Sequence, residues 1–186
     1  MLEKMPAVIG RALSRVRPGL GKLACHREDI VTATPSIVVT SPAFADHDSI
    51  PKKYTADGVG MSPPLEWAGI PPGTHSVAVL VEDADSPTLS PLVHAIAWHL
   101  DPLSDGLAEG AMVADGVARL GKTSAFKTGW MPPDPPPGHG AHRYGFQVFA
   151  LDYMPELGDA PGRRALLHSL HGHVIARGLL VGTYQR

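Results

Sequence analysis

The sequence predicts a mainly β protein: a sandwich or partly open barrel of antiparallel strands, with a C-terminal helix and a short N-terminal helical leader. Three observations carry this expectation. Twenty glycines and 19 prolines are spread along 186 residues, with no repeat and no low-complexity tail, as short strands joined by turns require. Several segments are rich in valine, isoleucine and aromatic side chains, which suit a pleated, half-buried surface. One late segment places Ala165, Leu166, Leu170 and Val174 near helical period.

The elements follow in order. Pro35 to Phe44 reads as a first core strand. Ile50 to Gly73 reads as a long connection whose Asp57-Gly58, Ser62-Pro63-Pro64 and Pro71-Pro72-Gly73 are turn signals. His75 to Asp85 is a strand that ends in acids, and Pro91 to Pro102 is another. Val117 to Thr123 reads as a shorter strand and His142 to Asp152 as a long one. The helix is expected over Ala160 to Gly178, with Gly178 as its stop, and a final strand closes the chain.

Composition excludes several classes of function. The chain is 44% hydrophobic and 18% charged with a net charge of −2, so no global field favours nucleic acid. The apolar runs are too short for a transmembrane segment. A single cysteine, Cys25, allows neither an internal disulfide nor a cysteine-based zinc site, which agrees with a cytoplasmic location. Residues 1–35 stand apart as a basic leader, followed by one domain over 36–186. Residues 1–30 hold six basic against three acidic side chains, and arginines interrupt the apolar stretch that a signal peptide needs. Ile9, Leu13 and Val16 sit at helical spacing and predict a short amphipathic helix that packs on the body, on a second subunit or on an anionic surface, with the shortness of the stripe favouring packing.

Polar side chains gather at strand ends. Strict alternation puts His142 and Tyr144 on one face with Phe146, and Arg143 on the other with Gln147. It puts Asp83 and Asp85 with Val81, and His94 with Ile96 and Trp98. A polar rim above an apolar floor is the layout of a small pocket. Asp83, His94 and His142 form a recognised but unselective metal-ligand set, with no helical ligand spacing to support it. A hydrolase built on them would need a nucleophile, and no G-x-S-x-G elbow occurs. Two imidazoles, an arginine, a tyrosine hydroxyl and the main-chain N–H groups of the turn Gly138-His139-Gly140 would instead suit an anion. Arg143 reads as a strut paired with Asp85, because a guanidinium fork matches a carboxylate.

These residues resemble a known family. Asp83-Ala84-Asp85-Ser86-Pro87, His94 in Val93-His94-Ala95, and Pro135 to Tyr144 are similar to the pocket motifs of the phosphatidylethanolamine-binding protein family, which includes the Raf kinase inhibitor protein. Ser41 to Trp67 and the closing Gly172 to Tyr184 look like its bacterial branch, and the resemblance spans Ser36 to Arg186. It implies a sandwich of two antiparallel sheets with an anion pocket at one end. Ligand-binding residues would be Asp83, His94, Pro135, Pro136, Gly138, His142 and Tyr144, with Asp85, Pro87 and Arg143 supporting the loops. The implied function is binding of a small anion or phospholipid headgroup, by a regulator or inhibitor that acts through a protein partner. No cofactor, resident metal or catalytic residue is expected, and a homodimer is plausible by resemblance. The alternative is a hydrolase or metal-assisted enzyme using Asp83, His94 and His142. Two departures stand out. Ala84 replaces the family's proline and is expected to loosen its loop, and Asp134 is expected to add negative charge at the pocket mouth.

Overall fold

The computed structural model describes residues 6–29, 36–113 and 118–186. Its elements are helix α1 (Ala7–Leu13), strands β1 (Val38–Thr40), β2 (Leu65–Ala68), β3 (Ser76–Asp83), β4 (Leu92–Leu100), β5 (Gly106–Leu107), β6 (Arg119–Leu120) and β7 (His142–Leu151), helix α2 (Arg163–Leu170) and strand β8 (Val174–Tyr184). Two antiparallel sheets face each other, as the sequence predicts. One runs β1-β2-β5 and the other β6-β4-β3-β7-β8.

The larger sheet is buried on both faces. Val77, Val79, Val81, Tyr144, Phe146 and Val148 point into the space between the sheets. Ala78, Leu80, Ile96, Trp98, Phe149 and Leu151 point the other way and pack under Leu166, Leu167 and Leu170 of α2. Leu23, Ala24 and Cys25 complete this second core, so the stretch after α1 is part of the packed body. Burial pushes the Cys25 thiol up to about 12, which keeps it a protonated, apolar filler. The carboxylate of Glu82 lies beneath the same segment. It accepts from Ala24 N (3.0 Å), Gln147 Nε2 (2.9 Å) and Arg163 Nε (2.6 Å), tying the segment, β3, β7 and α2 at one point.

Several expectations need correction. The helix is not continuous to Gly178. It ends at Leu170, and β8 begins at Val174 because Val174 to Tyr184 can pair along the whole of β7. Gly178 is therefore mid-strand, where the close approach of β1 leaves no room for a Cβ: Val39 Cγ2 would lie only 2.6 Å away. The long connection 50–73 contains a short strand, β2, whose burial alternates too briefly to rise above its turn signals. The strand expected over Val117 to Thr123 is confined to Arg119–Leu120, with Val117 outside the described residues. The apolar stripe of α1 does not make the contact. Ile9 and Val16 are exposed, and the buried residue of the helix is Gly10.

The strand pairing also contains a displacement that matters for the site. Val81 of β3 opposes Ala95 of β4, yet the next residue, Glu82, opposes Val93. His94 is the extra residue of a β-bulge, and a bulge re-aims the side chain it carries.

The Glu82 node gives a first prediction. Arg163→Ala leaves a buried carboxylate with neutral partners only, a change that costs about 3–5 kcal/mol when the lost cation is itself fully buried. Arg163 is partly exposed, so a loss of about 2–3 kcal/mol is expected in urea unfolding. Adding Glu82→Gln should recover at least half of it.

Candidate functional site

The site forms where β3 ends and β7 begins. Asp83 opposes Tyr144 in the β3–β7 ladder, so His142, two residues earlier, is its diagonal neighbour on the same face. His142 Nδ1 and Asp83 Oδ2 lie 2.8 Å apart. The other carboxylate oxygen accepts from Asp85 N at 2.8 Å, which turns the chain sharply out of the strand. On its far side, His142 Nε2 is 2.7 Å from His139 Nδ1, and His139 Nε2 is 2.9 Å from the carbonyl of Leu13.

The protons of this chain can be counted. A carbonyl only accepts, so His139 Nε2 carries hydrogen and donates to Leu13. The His139–His142 and His142–Asp83 contacts each need one hydrogen more. Two neutral imidazoles bring two hydrogens between them, and the three bonds require three. The chain therefore holds one extra proton against the negative charge of Asp83. Burial first, then the neighbouring His142, holds His139 below the usual imidazole range. The count places that proton on the Asp83–His142–His139 line.

The bulge places His94 in the same site. Simple alternation groups it with Ile96 and Trp98, but its ring meets Tyr144 edge-on at a centroid distance of 5.1 Å, on the opposite face from those two residues. His94 Nδ1 is 2.6 Å from the carbonyl of Met131, so Nδ1 holds the hydrogen and Nε2 is an open acceptor. Burial holds His94 below the usual imidazole range, which keeps that tautomer neutral near pH 7. Tyr144 is 0% exposed, and among the described residues its hydroxyl has no hydrogen-bond partner. Burial raises its pKa, so it remains a donor. Trp130 stacks on Phe146 at 6.2 Å and closes the floor, while Pro135 and Pro136 are buried in the wall. Gly138 carries the turn beside them at φ +80.

Asp85 and Arg143 form a separate strut. Alternation puts Asp85 on the face of Asp83, but the chain has already left the strand there. Asp85 accepts from Arg143 N (2.9 Å), Nε (2.7 Å) and Nη2 (2.7 Å). Pro87 sits half-buried in the loop that follows. Ala84 does not loosen this loop. Its N–H donates to Arg143 O at 2.9 Å, a bond no proline could make, and extends the β3–β7 ladder by one rung. Asp134 does not present a bare charge either, because Arg186 donates to it and to Asp57 and ties the C-terminal residues to the proline wall. Sequence reasoning missed the His139 side chain, Arg17 and Met131. Only His139 left a signal, as a polar side chain between two glycines.

Among the described residues, no group of three or more His, Cys, Asp and Glu side chains is arranged to hold a metal ion. Nor, among the described residues, do Ser86 and Cys25 offer a free nucleophile to its histidines. Ser86 Oγ is shared with Thr88 and the Asp83 carbonyl, and Cys25 belongs to the core on the opposite face of the sheet.

The family model described as phosphatidylethanolamine-binding protein matches residues 40–185. A protein of Chlamydia muridarum named UPF0098 protein is 38% identical over 152 residues, covering 80% of this chain and 98% of that one. A Pyrococcus horikoshii protein of the same name is 35% identical over 150 residues, covering 78% and 75%. A solved structure described as a phosphatidylethanolamine-binding protein homolog from Chlamydia trachomatis is 36% identical, with a TM-score of 0.75 over 82% of this chain and 99% of that one. Escherichia coli YbcL, described as a new member of the mammalian family, is 26% identical with a TM-score of 0.76, covering 81% and 99%.

The strut predicts a pH dependence. Burial pushes the Asp85 carboxyl up, but hydrogen bonds from Arg143 overcome this and hold it below the usual carboxylate range. A depressed folded-state value contributes stability above about pH 4 that is lost as pH falls through the folded value. Arg143→Gln removes the two guanidinium bonds that offset burial, so its stability deficit in urea unfolding should be largest near pH 7 and shrink below about pH 4.

Proposed function

The chain belongs to the phosphatidylethanolamine-binding protein family, and from that premise we propose that it binds a small oxyanion at the Asp83–His94–His142–Tyr144 site. The ligand class is a phosphate or carboxylate, free or on a phospholipid headgroup. The Tyr144 hydroxyl carries this reading: it is buried, donor-competent and unpartnered. A buried donor without an acceptor costs about 1–3 kcal/mol, and an oxyanion between the two histidines would remove that cost. A regulatory role through a protein partner rests on the family resemblance. Binding is favoured over hydrolysis because, among the described residues, Ser86 is engaged within its own loop and Cys25 lies in the core on the other face of the sheet.

His94 adds a chemical requirement. Its Nε2 is an acceptor when neutral, so a fully deprotonated oxyanion oxygen would face a lone pair. Either the ligand brings a proton to that nitrogen or the imidazole takes one up. Binding is therefore coupled to one proton, and affinity for phosphate should rise as pH falls from about 8 toward the imidazole range near 6.5.

Calorimetry with inorganic phosphate, phosphoethanolamine and acetate tests the proposal. Tyr144→Phe should weaken binding about tenfold, corresponding to ~1.4 kcal/mol. The heat should depend on the ionisation enthalpy of the buffer. No binding of any of the three, or a Tyr144→Phe protein that binds as the parent does, would contradict it.

A further inference from the structure

We infer that residues 6–19 are a built-in plug of the oxyanion site, so that ligand affinity is set by how readily this segment lifts away. The inference rests on the anion-site reading above and adds the control of that site.

The segment is tied to both loops that build the site. On the turn before β7, the Leu13 carbonyl accepts from His139 Nε2 at 2.9 Å. Arg17 donates from Nη1 to Ala141 O at 2.7 Å and from Nη2 to His139 O. Its Nε donates to Ser14 O at 2.9 Å, which holds the guanidinium in position. On the turn after β3, Gly19 N donates to Ala84 O at 2.7 Å, and Arg17 Nη1 lies 3.5 Å from Asp85 Oδ1.

Backbone shape matches as well. A Cβ on Gly10 would collide with the carbonyl of Pro137, and one on Gly138 would stand 2.6 Å from the carbonyl of Ala7. Contacts under 3.0 Å force something to move. Only glycine at both positions lets α1 lie directly on the turn 137–140.

The consequence for the site is direct. The docked segment holds the His139 ring inward, where its Nδ1 occupies His142 Nε2. That nitrogen is the donor an oxyanion would use. His139 and His142 are both buried, so no ligand reaches the pair while the turn stays down. Withdrawing the His139 ring gives up the Leu13 carbonyl, and the turn cannot rise without displacing α1.

The plug is also held weakly enough to open. Val8, Ile9 and Val16 are exposed, so polar bonds rather than apolar burial hold the segment from α1 to Gly19. A helix of seven residues has no stability of its own in water. When only the open state binds, the apparent dissociation constant is the intrinsic one divided by the open fraction.

The test uses the full chain with Gly10→Ala. Alanine favours a helix over glycine, so undocking would not reflect a lost helix propensity. Arg17→Ala is the second variant, because it removes the clamp without adding atoms. Phosphate and phosphoethanolamine binding are measured by calorimetry, and accessibility of the segment by trypsin cleavage after Arg11 and Arg15. Both variants should bind phosphate at least tenfold more tightly and be cut faster in the segment, with the unfolding transition of the body retained. Wild-type or weaker affinity in a variant whose segment is cut faster overturns the plug while leaving the anion site standing. Unchanged cutting in both variants also overturns it, because the two contacts would not be holding the segment. Absence of binding in all three proteins removes the anion site itself.

Discussion

One buried line of hydrogen bonds organises this end of the molecule: Asp83 to His142, His142 to His139, and His139 to the Leu13 carbonyl. Its three bonds need one proton more than neutral imidazoles supply. The line is therefore a carboxyl group and two imidazoles that share one extra proton out of water, with no net charge. Burying these polar groups is tolerable only because they are adjacent and hydrogen-bonded to one another. The surrounding structure supplies that closure. The Asp85–Arg143 strut holds the turn after β3, the proline wall is tied to the C-terminal residues through Arg186, and the N-terminal segment covers the turn before β7.

The sandwich explains how these groups meet. β3 and β7 are the central pair of the larger sheet, buried on both faces, so their register cannot slip without moving a core. That register fixes Asp83 diagonal to His142. The bulge in β4 then brings His94 to the same face as Tyr144. Among the described residues the buried Tyr144 hydroxyl has no hydrogen-bond partner there, and beside His94 it marks where a ligand would sit. The same sheet carries the Glu82 node on its other face, which anchors the residues just after the plug. The segment is thus fixed at its C-terminal end and lightly held at α1, a geometry suited to lifting about a hinge near Gly19.

How much of this was legible in the sequence varied with the range of the interaction that decides it. The long strands were legible because Ser76 to Asp83 and His142 to Leu151 are strongly apolar and β-branched or aromatic. His142 and Tyr144 could be paired by alternation alone, since β7 runs unbroken through them. His94 could not, because the bulge that turns it depends on how β4 meets β3. The end of α2 was misplaced for a similar reason: Val174 continues a helical spacing, but pairing with β7 overrides it. Ala84 and Asp134 looked like weaknesses only while their partners, Arg143 O and Arg186, lay far away in sequence. The apolar stripe of α1 suggested the wrong contact face, since the close approach depends on a glycine and leaves no apolar pattern.

The most direct measurement is the protonation state of the buried imidazoles in the full chain at pH 7, read from ring ¹⁵N shifts and ring N–H couplings. The account predicts His94 neutral with hydrogen on Nδ1, His139 with hydrogen on Nε2, and a third hydrogen shared on the His142–His139 axis with His142 bonded to Asp83. Finding both His139 and His142 neutral, with a single N–H each and an ionised Asp83, would contradict it, because one bond of the line would then have no proton.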